Sequence, residues 1–229
     1  MIYYQDIVQV EPGMMDRYLQ AFGELALPPL LERKNHPIGM FRVVPGAGNY
    51  NEVIFINGID SWQRWGRDVM TTEGHPNREE WHPGVRAWAE QGYDFRKRWV
   101  KNFYTAVPFA PTYEQLQRRT KTGSTFIHTM YRVTPGKMND YLAFAEKELV
   151  PARQKQGMEL IGFWEIFPGT GHSNQVVELW ALEDWDLWEE IVKAQRADGT
   201  FHVVLRMALE FRSEWVDRIL LPAPWAMVQ

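Results

Sequence analysis

The sequence predicts an α+β protein made of two similar units that pack against each other. The stretch 8–65 returns 123 residues later as 131–188, and the two copies agree without a gap at 16 of 58 positions. Each copy has the same predicted order of elements, β-α-β-β-α-β. Units of roughly 110 residues can each form a hydrophobic core, and two copies are too few for an open solenoid.

The positions that agree between the copies are mostly those that shape the backbone. Proline and glycine fix turns, and paired tryptophans mark the second helix of each copy. The shared residues include Pro12-Gly13 with Pro135-Gly136, Tyr18-Leu19 with Tyr141-Leu142, Pro45-Gly46 with Pro168-Gly169, Trp62 and Trp65 with Trp185 and Trp188, and Phe95-Arg96 and Trp99 with Phe211-Arg212 and Trp215.

The first copy is seven residues longer than the second between the two matched blocks. This predicts a first unit at 1–111, with an insertion at about 71–92, and a second unit at 124–229. The segment 112–123 between them is short and partly basic, and we interpret it as a linker. The insertion lies where the copies are expected to differ in function.

The pattern of apolar residues predicts the elements in order. β-branched and aromatic runs that end at turns indicate strands, and apolar spacings of three and four indicate helices. In the first copy the predicted strands are 2–10, 38–44, 52–59 and 100–107, with helices from 14, interrupted near Pro28-Pro29, and after Asp60-Ser61. In the second copy the strands are 125–133, 160–167, 175–182 and about 218–221, with helices at 137–155, 184–194 and 201–215.

A β-α-β-β-α-β unit is the ferredoxin-like arrangement, in which helices cover one face of an antiparallel sheet. The other face needs an apolar partner. Two units in one chain can cover each other, sheet against sheet. We therefore expect tandem ferredoxin-like units whose antiparallel sheets pack as a pseudo-dimeric α+β barrel.

The composition narrows the class of protein. A net charge of -4 and a pI near 5.9 argue against binding to nucleic acid or anionic membranes, which usually requires Lys/Arg clusters. Without cysteine there is no disulfide, thiolate nucleophile or cysteine-bound metal. The N-terminus lacks the basic and apolar regions of a signal peptide, and no apolar run reaches membrane-spanning length. We expect a cytoplasmic protein, and its 11 Trp, 12 Phe and 9 Tyr predict aromatic cores or an aromatic-walled pocket.

Taken together, these motifs resemble the NIPSNAP branch of the dimeric α+β barrel superfamily over nearly the whole chain. The second copy carries the match at Val133-Thr134-Pro135-Gly136, Tyr141-Leu142, Trp185 with Trp188, and Leu221-Pro222-Ala223-Pro224-Trp225, and the first copy carries it at Val10-Glu11-Pro12-Gly13, Tyr18-Leu19, Trp62 with Trp65, and Val107-Pro108-Phe109-Ala110-Pro111. The resemblance implies relatives that include cofactor-free monooxygenases, cyclases and isomerases of small aromatic or polyketide-like compounds, haem enzymes, and members without a known activity. It brings no catalytic residues, because a fold does not fix a function.

Strand alternation in the second copy suggests one candidate site. If Val177 and Leu179 face the helices, Glu178 lies on the opposite face of the sheet, which would also carry His128 and Arg132. A carboxylate that orients an imidazole beside a guanidinium is a workable acid/base set. We predict His128 as base, Glu178 as its orienting group and Arg132 as anion stabiliser, and the substrate-binding residues are predicted to be Met130, Tyr131, Trp180 and, in the first copy, Phe55. The alternative is a structural ion pair between Glu178 and Arg132.

A second candidate is the His-x-x-x-Arg pattern that both copies contain. His82 with Arg86, and His202 with Arg206, would each lie on one helical face. Some barrel enzymes of the wider superfamily have a working histidine just beyond the second helix, and His82 and His202 resemble that placement. They are therefore further catalytic candidates, with Arg86 and Arg206 as substrate contacts. The alternative is that these are ordinary surface residues of a helix.

We predict neither a metal site nor a bound cofactor. His75, Glu79 and His82 match no standard zinc spacing, so a solvated loop is favoured there. Haem remains an alternative by resemblance alone, with His128, His172 or His202 as the axial ligand.

The function predicted from the sequence is an enzyme that performs cofactor-independent acid/base chemistry on a small hydrophobic or aromatic compound, of lyase, isomerase or cyclase type. The alternatives are a non-catalytic binding or assembly protein and a cofactor-free monooxygenase or haem-binding protein. The expected partner is a small molecule and not nucleic acid or membrane, and we expect a homo-oligomer built on the intrachain pseudo-dimer.

Overall fold

The structure is a computed structural model that describes residues 1–72, 75–119, 123–197 and 199–226, without the side chains of 199–202. The predicted insertion and linker are thus described except at 73–74 and 120–122. The strands are β1 (Ile2–Val10), β2 (His36–Val43), β3 (Glu52–Ile59), β4 (Arg96–Ala106), β5 (Thr125–Val133), β6 (Glu159–Ile166), β7 (Gln175–Leu182) and β8 (Arg212–Pro222).

The helices follow the strands in the order that the sequence predicts, except for α5, which lies within the segment interpreted as a linker. They are α1 (Met15–Ala21), α2 (Leu27–Glu32), α3 (Trp62–Met70), α4 (Pro83–Gly92), α5 (Tyr113–Gln117), α6 (Met138–Phe144), α7 (Val150–Lys155), α8 (Trp185–Ala197) and α9 (Gly199–Phe211), and a 3₁₀ turn covers Arg78–Glu80. Within the described residues, no helix is both long and apolar enough to cross a membrane.

A π-helical turn lies in the first helical segment of each repeat. These turns are Phe22–Ala26, between α1 and α2, and Ala145–Leu149, between α6 and α7. Pro28 and Pro151 follow directly and cannot donate a backbone hydrogen bond to the preceding turn. The wider turn lets the helix continue through the proline, where the sequence predicted an interruption.

The eight strands form one closed antiparallel barrel in the order β1-β3-β2-β8-β5-β7-β6-β4. The ring closes through two junctions between the repeats. At one, Phe41 of β2 pairs with Pro222 of β8, and at the other, Tyr104 of β4 pairs with Ile166 of β6. The predicted α+β class is confirmed, and the barrel interior is a single core to which both repeats contribute.

Side chains alternate between the barrel interior and the helix-covered outer face. On β1, Tyr3 points into the barrel core, whereas Tyr4 and Val8 belong to an outer core beneath the first-repeat helices. On β5, Phe126 points inward and Tyr131 belongs to an outer core beneath the second-repeat helices. The protein therefore has three apolar layers, one inside the barrel and one outside it in each repeat.

The last strand of each repeat begins earlier than predicted. β4 starts at Arg96 and β8 at Arg212, so the predicted helix at 201–215 ends at Phe211. Beyond these strands the chain crosses to the other repeat. Ala223 donates to the Met40 carbonyl, and the Trp225 ring stacks on Phe22 with 5.3 Å between ring centroids. These crossings fasten each repeat to the other.

Candidate functional site

His128, Glu178 and Arg132 do not share a surface. In the β5–β7 ladder Glu178 lies opposite Thr129, and His128 lies opposite Leu179. Residues directly opposite each other occupy the same face of an antiparallel pair, so Glu178 faces the helices and His128 faces the barrel interior. The predicted grouping is wrong. It assigned the two faces of β7 from the alternation of polar and apolar residues, but all eight residues of β7 are buried, so this alternation could not identify the faces.

His128 is enclosed inside the barrel, with none of its surface exposed. Its Nε2 atom contacts Nε2 of Gln5. Burial, and next the positive charge of Arg218, hold the pKa of His128 well below its ordinary value of 6.5, so the imidazole is neutral at neutral pH. The surrounding barrel is filled with aromatic and aliphatic side chains. The site around His128 therefore does not fit a haem.

Arg132 and Met130 are separated from the other predicted site residues. The Arg132 side chain is 35% exposed and pairs with Glu214 at 3.4 Å, which also excludes the predicted alternative of an ion pair with Glu178. The sulfur of Met130 lies 3.6 Å from Nη1 of Arg218 on the barrel side. Neither side chain lines the cavity described below.

Glu178 is the centre of a buried ionic cluster on the outer face of the second repeat. Its carboxylate accepts hydrogen bonds from Tyr131 Oη at 2.7 Å, Tyr141 Oη at 3.2 Å, Trp180 Nε1 at 2.9 Å and Arg212 Nη2 at 3.0 Å, and Arg153 Nε lies 3.9 Å away. Burial raises the pKa of Glu178, but the two arginines and the hydrogen bonds outweigh it and hold this pKa below its ordinary value. We call these six residues the Glu178 cluster. A carboxylate so fully bonded is typical of structural ion pairs, and it cannot orient His128.

The histidines of the His-x-x-x-Arg pattern do not form a common site. His82 caps α4 by accepting a hydrogen bond from the Gly84 backbone, and its Nε2 lies 2.8 Å from Glu32. The His202 side chain lies outside the described residues, and Arg206 is exposed. Arg86 is half-buried on α4 and does not line the cavity described below.

Among the described residues, no three or more His, Cys, Asp or Glu side chains form a group that could hold a metal ion. In the insertion, His75 pairs with Glu80 at 3.2 Å.

The first repeat contains a cavity of about 110 Å³ between the outer face of the barrel and the helices. We call it the first-repeat cavity. Its aromatic walls are Tyr4, Tyr18, Phe22, Phe55, Trp65, Trp88 and Trp99, and the other lining residues are Asp6, Val8, Ala26, Leu30, Arg33, Asn35, Asp68, Thr72, Val85, Arg96 and Lys101. Phe55 was predicted to contact substrate, and it lines this cavity from the face opposite to the one predicted. The volume is close to that which holds a single benzene ring in other proteins.

One side of the cavity carries a carboxylate that is held in place. The Asp6 carboxylate accepts a hydrogen bond from Trp99 Nε1 at 2.8 Å and lies 3.7 Å from Lys101 Nζ. The Asp6 side chain is 15% exposed, so the mouth of the cavity gives it limited contact with water. In the second repeat, Thr129 takes the place of Asp6 and Asp217 takes the place of Lys101. The Thr129 hydroxyl donates a hydrogen bond to the Asp217 carboxylate at 2.7 Å.

Lys101 is surrounded by aromatic rings as well as by Asp6. Its Nζ lies 4.3 Å from the centroid of Tyr4, 5.0 Å from that of Trp65 and 5.1 Å from that of Trp99. Such cation–π contacts stabilise an ammonium that has lost part of its water. The positive charge is therefore fixed at the aromatic wall of the cavity.

Arg96 and Tyr18 also line the cavity. The guanidinium of Arg96 lies against three rings, with 4.9 Å to the centroid of Trp88, 4.7 Å to Tyr93 and 5.1 Å to Trp99. Burial raises the pKa of the Tyr18 hydroxyl, and its interaction with Arg96 offsets only part of that rise. Tyr18 is therefore a neutral hydrogen-bonding group beside a cation.

Sequence reasoning missed this cavity, although two signals point to it. Asp6 stands in the apolar alternation of β1, between Tyr4 and Val8, where a carboxylate must find a partner when buried. Arg96 recurs as Arg212 in the second sequence match, and both lie on the outer face of their sheets.

The fold and the cavity define the class, an α+β barrel protein with an aromatic pocket outside the barrel. The NIPSNAP family model matches residues 128–227, which form most of the second repeat, so this part of the chain is similar to the NIPSNAP family. A NIPSNAP family protein from Agrobacterium tumefaciens is 21% identical over 49% of this chain and 96% of its own, with a TM-score of 0.42. No curated protein matches the chain.

Two solved structures share the whole fold. A proposed monooxygenase from Lactobacillus acidophilus has a TM-score of 0.63 at 8% identity and covers 97% of this chain and 93% of its own. An anthrone oxidase-like protein has a TM-score of 0.62 at 9% identity, with coverage of 96% and 90%. At such low identity, these similarities show a common fold and no more.

Proposed function

We propose that the first-repeat cavity binds a small aromatic molecule and that Asp6 transfers a proton to or from it. The observation that carries this proposal is a carboxylate placed within an aromatic-walled cavity that has the volume of a single ring. Concave, largely apolar sites with a few fixed polar groups are the usual form of small-molecule sites. The reaction class stays with the one predicted from sequence, and the residues that perform it change.

The contacts of Asp6 support a role as general base. Its hydrogen bond from Trp99 fixes the direction of the carboxylate, and its exposure of 15% restricts the water that would compete with a substrate. A base held in this way can remove a proton from a carbon next to a carbonyl. Lys101, on the same wall, would stabilise the anion that forms.

The aromatic walls support an aromatic substrate. Phe55 and Tyr18 are almost completely buried and form the floor, while Trp99 is 39% exposed and stands at the mouth. Rings prefer offset or edge-to-face contacts with other rings, and each such contact contributes about 0.5–1.5 kcal/mol beyond burial. A planar ring would make several of these contacts at once.

The test is deuterium uptake by ketones with an acidic benzylic position. The purified protein is mixed in D₂O with phenylacetone or with phenylpyruvate, and loss of the methylene signal is followed by proton NMR. We expect catalysed exchange with at least one ketone and at least a hundredfold reduction for Asp6→Asn, the order of magnitude of general base catalysis. Asp16→Asn, which removes an exposed carboxylate on α1, should leave the rate unchanged. If the wild-type protein exchanges neither ketone, proton transfer is refuted and a binding role is favoured.

The names of the fold neighbours favour a second candidate, in which molecular oxygen reacts after the proton transfer. Deprotonation of a methylene group leaves a carbanion, and its reaction with O₂ followed by loss of water gives a ketone, R₂CH₂ + O₂ → R₂C=O + H₂O. An oxygen electrode tests this directly with phenylacetone as substrate, since its single ring fits the volume of the cavity. Oxygen consumption that Asp6→Asn abolishes would support oxidation, whereas deuterium exchange without oxygen consumption would leave only the proton transfer.

A further inference from the structure

The two repeats place the same arginine and tyrosine at the same point of the outer face. Arg96 lies opposite Val10 on β1, and Arg212 lies opposite Val133 on β5. A register shift occurs at this point in both ladders, which fixes the equivalence residue by residue. Tyr18 and Tyr141, related by the sequence repeat, approach the respective arginines from the helical segment.

In the second repeat this pair holds a carboxylate. Nη2 of Arg212 lies 2.6 Å from the Tyr141 hydroxyl and 3.0 Å from Oε1 of Glu178. The hydroxyl of Tyr141 is 3.2 Å from the same carboxylate oxygen. Arg212 and Tyr141 therefore form an anion site that a side chain of the protein itself occupies.

In the first repeat the pair is kept and the carboxylate is lost. Phe55 stands where Glu178 does, and Val8 stands where Tyr131 does, since the repeat relates each pair by 123 residues. The first-repeat cavity is lined by all four residues concerned, Val8, Tyr18, Phe55 and Arg96. An anion site whose internal occupant is missing thus opens onto a cavity.

The charged residues that line the cavity favour a negatively charged ligand. Three cations, Arg33, Arg96 and Lys101, line it with two carboxylates, Asp6 and Asp68. Lys101 pairs with Asp6 at 3.7 Å. Asp68 pairs with Arg64, which lies outside the lining, at 3.3 Å, and its charge also opposes the lowering of the Arg33 pKa by burial. The lining residues therefore carry one more positive charge than negative charges, and an anionic ligand would balance it.

We propose that the ligand of the first-repeat cavity is a small aromatic carboxylate, whose carboxylate binds Arg96 and Tyr18 in the place that Glu178 takes in the second repeat. The inference rests on the proposed function for the aromatic part of the ligand and adds its charge and orientation. The carboxylate fixes one end of the molecule at Arg96, and the ring lies along the aromatic wall toward Asp6. Arginine suits this role because its planar fork matches a carboxylate.

The test is isothermal titration calorimetry with benzoate and with benzyl alcohol, which differ in charge and share the ring. Wild-type protein is expected to bind benzoate at least tenfold more tightly. Arg96→Gln should weaken benzoate at least tenfold and benzyl alcohol less than threefold. Arg98→Gln is the matched control, because it removes the same charge from an exposed position of the same strand outside the cavity. Equal losses in the two variants would overturn the assignment of the carboxylate to Arg96.

A second variant places the second-repeat carboxylate in the first repeat. Phe55→Glu gives Arg96 an internal partner, so benzoate binding should fall at least tenfold while a far-ultraviolet circular dichroism spectrum like that of the wild type shows a retained fold. If the folded variant binds benzoate as well as the wild type does, the proposed equivalence of ligand and Glu178 is wrong.

The outcomes separate this inference from the proposed function. Equal wild-type affinity for benzoate and benzyl alcohol would refute the proposal that the ligand carries a carboxylate, and would leave the proposal of an aromatic site standing. Binding of neither compound would overturn both proposals. Selective benzoate binding together with no deuterium exchange would support the carboxylate and refute the catalysis.

Discussion

The buried imidazole of His128 should make the protein less stable in mild acid, and His128→Gln should remove this effect. Gln is the residue that the first repeat has at the equivalent position, Gln5, and these two side chains already contact each other. A Gln–Gln pair can be accommodated there without an ionisable group. The substitution therefore changes the titration while keeping a polar contact inside the barrel.

The size of the effect follows from the linkage between protonation and folding. The native pKa of His128 lies well below 6.5 because of burial and then the charge of Arg218, so below pH 6.5 the unfolded chain binds a proton that the native protein does not. Stability is complete above pH 6.5 and falls as the pH drops, with a limiting slope of about 1.4 kcal/mol per pH unit. At pH 5 the loss amounts to about 2 kcal/mol.

Urea unfolding followed by tryptophan fluorescence at pH 8, 7, 6, 5.5 and 5 measures this loss. Between pH 8 and 5 the wild-type protein should lose about 2 kcal/mol more than His128→Gln. His172→Gln, at an exposed position of a hairpin, should behave as the wild type does. Parallel stability curves for wild type and His128→Gln would refute the depressed pKa and the enclosed position from which it is derived.

Three further substitutions probe the two repeats. Glu178→Gln leaves Arg212 without its ionic partner. It should lower the free energy of unfolding, measured in urea, by about 3–5 kcal/mol. A loss below about 1 kcal/mol would contradict a structural role for the Glu178 cluster. Ala26→Leu introduces the residue that the second repeat has at Leu149, so it should fill part of the first-repeat cavity and weaken benzoate binding at least tenfold in calorimetry without loss of stability. Trp225→Ala removes the ring that stacks on the first-repeat helix and should cost about 3 kcal/mol, and an unchanged melting temperature would show that this crossing does not fasten the repeats.

The sequence was sufficient to predict the bounds of those strands that are defined by a local pattern of residues. β1 and β5 were predicted with the bounds that the structure has, because each is a run rich in β-branched and aromatic residues that ends at a Pro-Gly turn. β4 and β8 were predicted too short. Their first residues, from Arg96 and Arg212 onward, are polar and largely exposed, and they form strands because they pair with β1 and β5, far away in sequence. No local pattern contains that information.

The candidate site was predicted wrongly for a related reason. The faces of β3 and β7 were assigned from their own residues, and both strands are buried on both faces. The correct assignment follows from register, since Asp6 lies opposite Phe55 and Thr129 lies opposite Glu178. Even with the correct faces, the cavity would have stayed invisible, because it depends on the combined size of side chains from strands and helices that are distant in sequence.

Duplication within one chain explains how the two outer faces became different. In two identical chains, a change from carboxylate to phenylalanine at the Glu178 position would leave two buried arginines without partners, at a cost of several kcal/mol each. In a single chain the change can occur once, as Phe55 beside Arg96, while the Glu178 cluster keeps the second repeat fully paired. Since the barrel core is shared through the β2–β8 and β4–β6 junctions, the well-packed repeat also supports the one that holds the cavity. The ionic cluster and the cavity are thus two different environments for the equivalent arginines, one filled by a carboxylate of the protein and one that we propose a ligand fills.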